Sequence, residues 1–256
     1  MNHLAARMVI YTYHFKQAMK KSLFIPGLAA LLTSCSPIYY APNTQNVPLL
    51  SEKNEISASV AGGDERVEVQ GAYAAGNHLG IMVNGGLFLP RRQEDNADDG
   101  DGRFLEAGAG YFTPLGSGFI FEAYGLFGLG NVRNDFPSTL DDHPGTTGKI
   151  RADMFRYALQ PGIGYKHRFF DVVLSSRFSV LNYTSVSGSL IFQGEDQVDY
   201  LRRNSSNFLI EPALTIRGGY EFIKLQLQIG QSLNLSNSDF RQEHGYATIG
   251  LVFNWR

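Results

Sequence analysis

One cysteine in 256 residues, Cys35, excludes an internal disulfide. No apolar stretch reaches the roughly 18 residues that a membrane-crossing helix needs. Neither sign of charge is in excess. The 22 Lys and Arg face 24 Asp and Glu, a net charge of -2, which removes the concentrated basic surface on which nucleic-acid affinity rests. Charged residues make up 18% of the chain and apolar residues 43%, a balance that argues against disorder. By composition the chain reads as globular and soluble, long enough for one large barrel or two ordinary domains.

The position of the one cysteine is more informative than its number. Lys20 and Lys21 precede an apolar stretch from Ser22 to Leu32, which leads into Leu32-Thr33-Ser34-Cys35. A basic start, a short apolar run and small residues before the cut define a secretory signal. The segment resembles a bacterial lipoprotein signal, and the resemblance implies that Cys35 is lipidated and becomes the first residue of the mature chain. Residues 1–34 then stand outside the fold, with 1–18 upstream of a second start at Met19. Residues 35–53 contain Pro37, Pro42 and Pro48 and show no periodicity, so they read as an extended, lipidated tether. No acidic cluster follows Cys35, and the anchor is expected in the periplasmic leaflet of the outer membrane.

From Glu55 onward the dominant period is two, the period of strands. Val67, Val69, Gly71 and Tyr73 alternate with Arg66, Glu68, Gln70 and Ala72; Phe155, Tyr157, Leu159, Ile163 and Tyr165 oppose Arg156, Gln160, Gly162 and Lys166. Ten such runs fill residues 54–256, or eight if the short first pair does not belong. Connections after the second, fourth, sixth and eighth runs are tight, whereas those at 90–103, 131–152 and 184–206 are long and polar. Only Gly62-Gly63-Asp64-Glu65 breaks this asymmetry. The last apolar-face residue of each even run is aromatic: Tyr73, Tyr111, Tyr165, Tyr220 and Trp255. Rings at one height on one face form half of a membrane-interface girdle. Residues 54–256 therefore resemble the small outer-membrane β-barrel proteins of Gram-negative bacteria. The resemblance implies an all-β, antiparallel, up-and-down transmembrane barrel with periplasmic termini, a monomer whose partners are outer-membrane lipid and the barrel-assembly machinery. Trp255 resembles the aromatic of the C-terminal assembly signal in that family, although Arg256 follows it.

A soluble lipocalin-like barrel in the periplasm would show the same alternation with its faces exchanged. Its polar face would be solvated, yet here that face is rich in Gly, Ser and Gln. Pro161 and Pro212 fall mid-strand on the apolar face, where each removes a ladder donor. As a lumen, the polar face collects Glu55, Glu68, Glu106, Glu122 and Glu211 with Arg156, Lys166, Arg177, Arg217 and Lys224. Buried charges must pair, so an internal salt-bridge network filling the bore is expected. A narrow conduit or small-ligand site is the alternative use of the same charges. Catalysis would need a converging set, and only His167 with Ser175 offers one, as in outer-membrane lipid hydrolases; the chain is read as a non-enzyme. Asp95, Asp99 and Asp101 belong to an acidic loop that partly matches a calcium-binding loop ending at Glu106, but Ala97 stands where a ligand is required. No cofactor is expected. A structural or surface-interaction role, carried by the long loops, is the leading functional expectation.

Overall fold

A computed structural model of the chain describes residues 36–89, 99–136 and 145–256. The first alternating runs become β1 (Ile56–Gly63), β2 (Arg66–Ala74) and β3 (Leu79–Phe88). Four longer strands follow, β4 (Asp99–Gly116), β5 (Phe119–Phe136), β6 (Gly148–Lys166) and β7 (Phe170–Gly188). A hairpin of β8 (Ile191–Phe192) and β9 (Glu195–Asp196) leads into a short helix, α1 (Gln197–Arg203). The chain then completes the wall with β10 (Ser206–Tyr220), β11 (Ile223–Gln231) continued by β12 (Leu233–Asn234), and β13 (Gly245–Trp255). Each wall strand pairs antiparallel with the next, and β13 closes on β1 from Trp255 opposite Ile56 to Thr248 opposite Gly63. The wall is a closed up-and-down barrel of ten strands, so it has no edge strand.

Tight turns join β2–β3, β4–β5, β6–β7 and β10–β11 at one end, and the long connections gather at the other. The expected loop bounds were too wide. β4 already begins at Asp99, β5 continues to Phe136, and β7 to Gly188. β4 to β7 thus rise as a tall wall on one side, while β1 to β3 stop at residues 63, 66 and 88. The anomalous Gly62–Glu65 connection is the low rim of that asymmetry and lies at the long-loop end. Pro161 and Pro212 point outward on either side of Ser176; Pro212 lies opposite it, and the β6–β7 ladder is interrupted between Leu159–Phe178 and Gly162–Ser175.

Which face carries the apolar side chains decides the solvent. In β6, Tyr157, Leu159 and Ile163 point outward and are exposed, while Arg156, Gln160, Gly162 and Gly164 are buried inward. The same strand inverts above Phe155: Ile150, Ala152 and Met154 turn inward, and Lys149 and Arg151 point out. The inversion coincides with a register shift between Asp153 and Met154. Above it the strand obeys the rule of soluble proteins, and below it the opposite rule. Residues 155–165, at about 3.3 Å per residue and a tilt of ~45°, span ~25 Å, the height of the apolar band in outer-membrane barrels. The soluble lipocalin-like alternative fails here, because its apolar face would line the interior.

Candidate functional site: a lumen closed by the chain's own N-terminal segment

Residues 36–53 are not a solvated tether. The segment enters at the long-loop end, where the Tyr39 N–H donates to the Arg241 carbonyl (2.9 Å) and Tyr40 bridges Gln242. It leaves at the short-turn end, where the Ser51 N–H donates to Glu55 (2.7 Å). Between them every residue from Pro42 to Leu50 is buried. A chain covers at most ~3.3–3.6 Å per residue, so residues 39–51, extended, reach about 40 Å, enough to cross the ~30 Å hydrocarbon core without being fully straight. The prolines suit this course, since they forbid helix and present no N–H that would need a partner.

A lone strand inside a closed barrel cannot pair with backbone, because every wall strand already has two neighbours. Wall side chains take over that role. Glu68 accepts the Thr44 N–H (2.9 Å), Gln228 the Gln45 N–H (2.7 Å) and Glu122 the Leu49 N–H (3.0 Å). In the other direction, Arg66 donates to the Pro42 carbonyl (2.5 Å), Arg177 to Asn43 (3.0 Å) and Gln70 to Thr44 (2.8 Å). Gln228, Gln160, Arg217 and Lys166 donate in turn to the carbonyls of Gln45, Asn46, Val47 and Leu49, at 2.7–2.9 Å. Side chains of the segment join in: the Tyr40 hydroxyl donates to Glu211 (2.7 Å) and accepts from Arg156 (2.6 Å), and Asn46 donates to Asn84 (2.8 Å).

The ten lumen charges expected from the sequence all line this path. Arg156 pairs with Glu106 (2.7 Å) and Arg177 with Glu211 (2.6 Å), all four buried. Lys224 pairs with Asp171 (2.6 Å), which also lies 3.9 Å from Arg217, and Lys166 pairs with Glu55. Glu68 with both oxygens, and Glu122 with one, accept instead from the segment's backbone; the second Glu122 oxygen has no hydrogen-bond partner. The network therefore does not fill the bore alone; it is completed by residues 39–51. Asp171 is the acid missing from the expected set. Asp171 falls on the polar parity of β7, but it adjoins the 167–170 turn, where strand and turn are hard to separate. Burial pushes the Glu55 carboxyl up, yet the Lys166 ammonium and the Ser51 N–H and hydroxyl more than offset this and hold it below the usual carboxylate range.

Apolar residues of the segment seat in matching places. Leu50 joins Ala72, Met82, Phe112 and Tyr124 near the short-turn end, and Val47 and Leu49 meet Ile120 and Val173. Gly164 makes the room: a Cβ there would come within 2.6 Å of the Leu49 side chain. Tyr39, Tyr200 and Phe240 cap the assembly at the long-loop end, with ring centroids 5.8 Å apart for Tyr39–Tyr200 and 6.2 Å for Tyr200–Phe240.

Other expected residues are placed as follows. Tyr73, Tyr111, Tyr220 and Trp255 stand exposed at the short-turn end and Tyr165 half-buried among them, 5.2 Å from Phe119. Exposed Phe169, Phe170 and Phe222 enlarge this belt. A second aromatic cluster, Phe127, Phe155 and Tyr157, lies just below the polarity inversion, with centroids 5.2 Å apart for Phe127–Tyr157. His167 and Ser175 are not brought together: the His167 ring packs on Phe170 (4.9 Å) in an exposed turn, and the buried Ser175 hydroxyl has no hydrogen-bond partner. The calcium-loop resemblance fails, because Asp99 to Glu106 is continuous strand, with Glu106 turned inward to Arg156 and Asp101 3.8 Å from Arg133 on the outside. Asp95 and Cys35 lie outside the described residues.

No protein-family model matches the sequence, and no curated protein does. Solved structures that resemble it include the translocator domain of autotransporter NalP from Neisseria meningitidis, 12% identical, covering 78% of this chain and 85% of that one at a TM-score of 0.44. An outer membrane channel from Pseudomonas putida F1 is 12% identical, covering 80% and 97% at a TM-score of 0.36. The KdgM porin is 11% identical, covering 79% and 99% at 0.34. At such TM-scores these likenesses add nothing to what the strand topology and the outward apolar belt establish: the chain is a closed, ten-stranded β-barrel of the outer-membrane kind.

Proposed function

We propose that the protein is an outer-membrane β-barrel whose lumen is sealed by its own residues 36–53, and that its role is structural or surface-directed. The short turns then face the periplasm, and the tall β4–β7 wall with α1 stands above the membrane. The buried course of the N-terminal segment carries this reading. A bore occupied by a hydrogen-bonded chain weighs against an open conduit.

The same reading revises the anchor. If Cys35 carries acyl chains, as its lipoprotein-type signal suggests, they belong to the outer leaflet rather than the periplasmic one, because the adjoining Ser36 sits at the long-loop end. Labelling with a palmitate analogue, abolished by Cys35→Ala, tests the modification, and accessibility of a tag placed after Cys35 on whole cells tests the side. For the barrel itself, heat-modifiable migration together with retention in carbonate-washed outer membranes is expected. Carbonate-soluble, heat-insensitive Cys35→Ala protein would overturn the membrane assignment.

A further inference from the structure

On the outer wall, at the height where polarity inverts, the β2–β5 surface is indented by a groove of about 520 Å3. Its floor exists because Gly85 stands in the outward row between Val69 and Leu105, which Leu129 continues. The next row toward the long-loop end runs Val67, Leu87, Arg103, Asn131 and Asp153 and is polar from Arg103 onward, with Asp153 paired to Arg151. Arg103 is exposed, and among the described residues it makes no ion pair. Its neighbours on the same wall differ: Arg133 lies 3.8 Å from Asp101 and Arg151 3.8 Å from Asp153. The groove volume falls within the ~300–1,000 Å3 of ordinary ligand pockets.

We infer that this groove binds a phosphate-bearing membrane lipid, with an acyl chain along Val69, Gly85, Leu105 and Leu129 and a phosphate against Arg103 and Asn131. The inference rests on the membrane reading above. An apolar trough that ends, at the level of the headgroups, in a cation with no ion pair among the described residues matches the two ends of such a lipid. Arg is suited to the task, since its planar donors bind phosphate in a bidentate manner.

The full chain reconstituted in phosphatidylcholine nanodiscs with bis-phosphorylated lipid A as the probe gives the test, read by native mass spectrometry of lipid A retained per barrel. Arg103→Gln, or removal of the lipid A phosphates, is expected to weaken retention about tenfold, the scale of one charge-assisted contact. Gly85→Leu is expected to abolish retention by filling the trough. The substitution is sterically mild, because a Cβ there meets only the Val69 carbonyl at 4.0 Å. Gly218→Leu, at another position with nothing within 4 Å, should retain lipid A like the parent. Equal retention by parent, Arg103→Gln and Gly85→Leu, all still heat-modifiable, would overturn the groove alone. Loss of heat-modifiable migration in the parent would overturn the membrane reading and the groove together.

Discussion

Arg177 lies midway along the lumen, fully buried, with one arm on Glu211 (2.6 Å) and another on the Asn43 carbonyl (3.0 Å). Its removal strands a buried carboxylate and a buried carbonyl together. Arg177→Met is expected to destabilise the barrel by about 3–5 kcal/mol, and Arg177→Met/Glu211→Gln by clearly less, as broken buried pairs behave. The temperature at which the folded gel band disappears reads both. Glu55 gives the pH dependence at this scale. Its folded carboxyl titrates below its usual value near ~4.3, so between those two values the unfolded chain binds more protons and stability rises with pH. The contribution is whole above ~4.3 and lost as pH falls through the depressed value. Parent protein should therefore lose stability below pH ~4 more steeply than Glu55→Gln, whereas parallel curves would remove Glu55 from the account.

At the scale of elements, strand and segment follow different logics. Wall strands announce themselves by parity: Arg156, Gln160 and Gly162 against Tyr157, Leu159 and Ile163 reveal two faces before any coordinates exist. The inversion above Phe155 is equally present in the letters, as Lys149-Ile150-Arg151-Ala152, but alternation alone does not say which face looks inward, and the stretch fits a polar loop as well. Residues 36–53 were not legible, because a lone extended chain that pairs with side chains needs neither an apolar face nor a period. Its buried polar residues Asn43, Thr44, Gln45 and Asn46 look like those of a solvated linker. Gly164 links wall to segment. Gly164→Val should expel Leu49, which a Cβ would approach to 2.6 Å, and raise ion leakage through reconstituted protein while the gel shift persists. At the long-loop end, Asp196 caps α1 by accepting the Val198 N–H (2.8 Å). Asp196→Ala should cost about 1 kcal/mol and hasten tryptic cleavage at exposed Arg202 and Arg203.

For the whole molecule, barrel and plug form one polar core. Six acids (Glu55, Glu68, Glu106, Glu122, Asp171, Glu211) and six bases (Arg66, Lys166, Arg156, Arg177, Arg217, Lys224) face a bore that ten strands leave narrow, and the N-terminal segment supplies hydrogen bonds to most of them. The strand ladder closes the wall by itself, and without the segment water would have to hydrate these charges in its place, so the segment acts as a built-in plug. Planar-bilayer conductance of the full chain against a chain lacking residues 36–53 tests this most directly. Silence of the full chain with steady ion current through the shortened one is the predicted result. Equal conductance of the two would contradict a lumen sealed by the protein's own N-terminal segment.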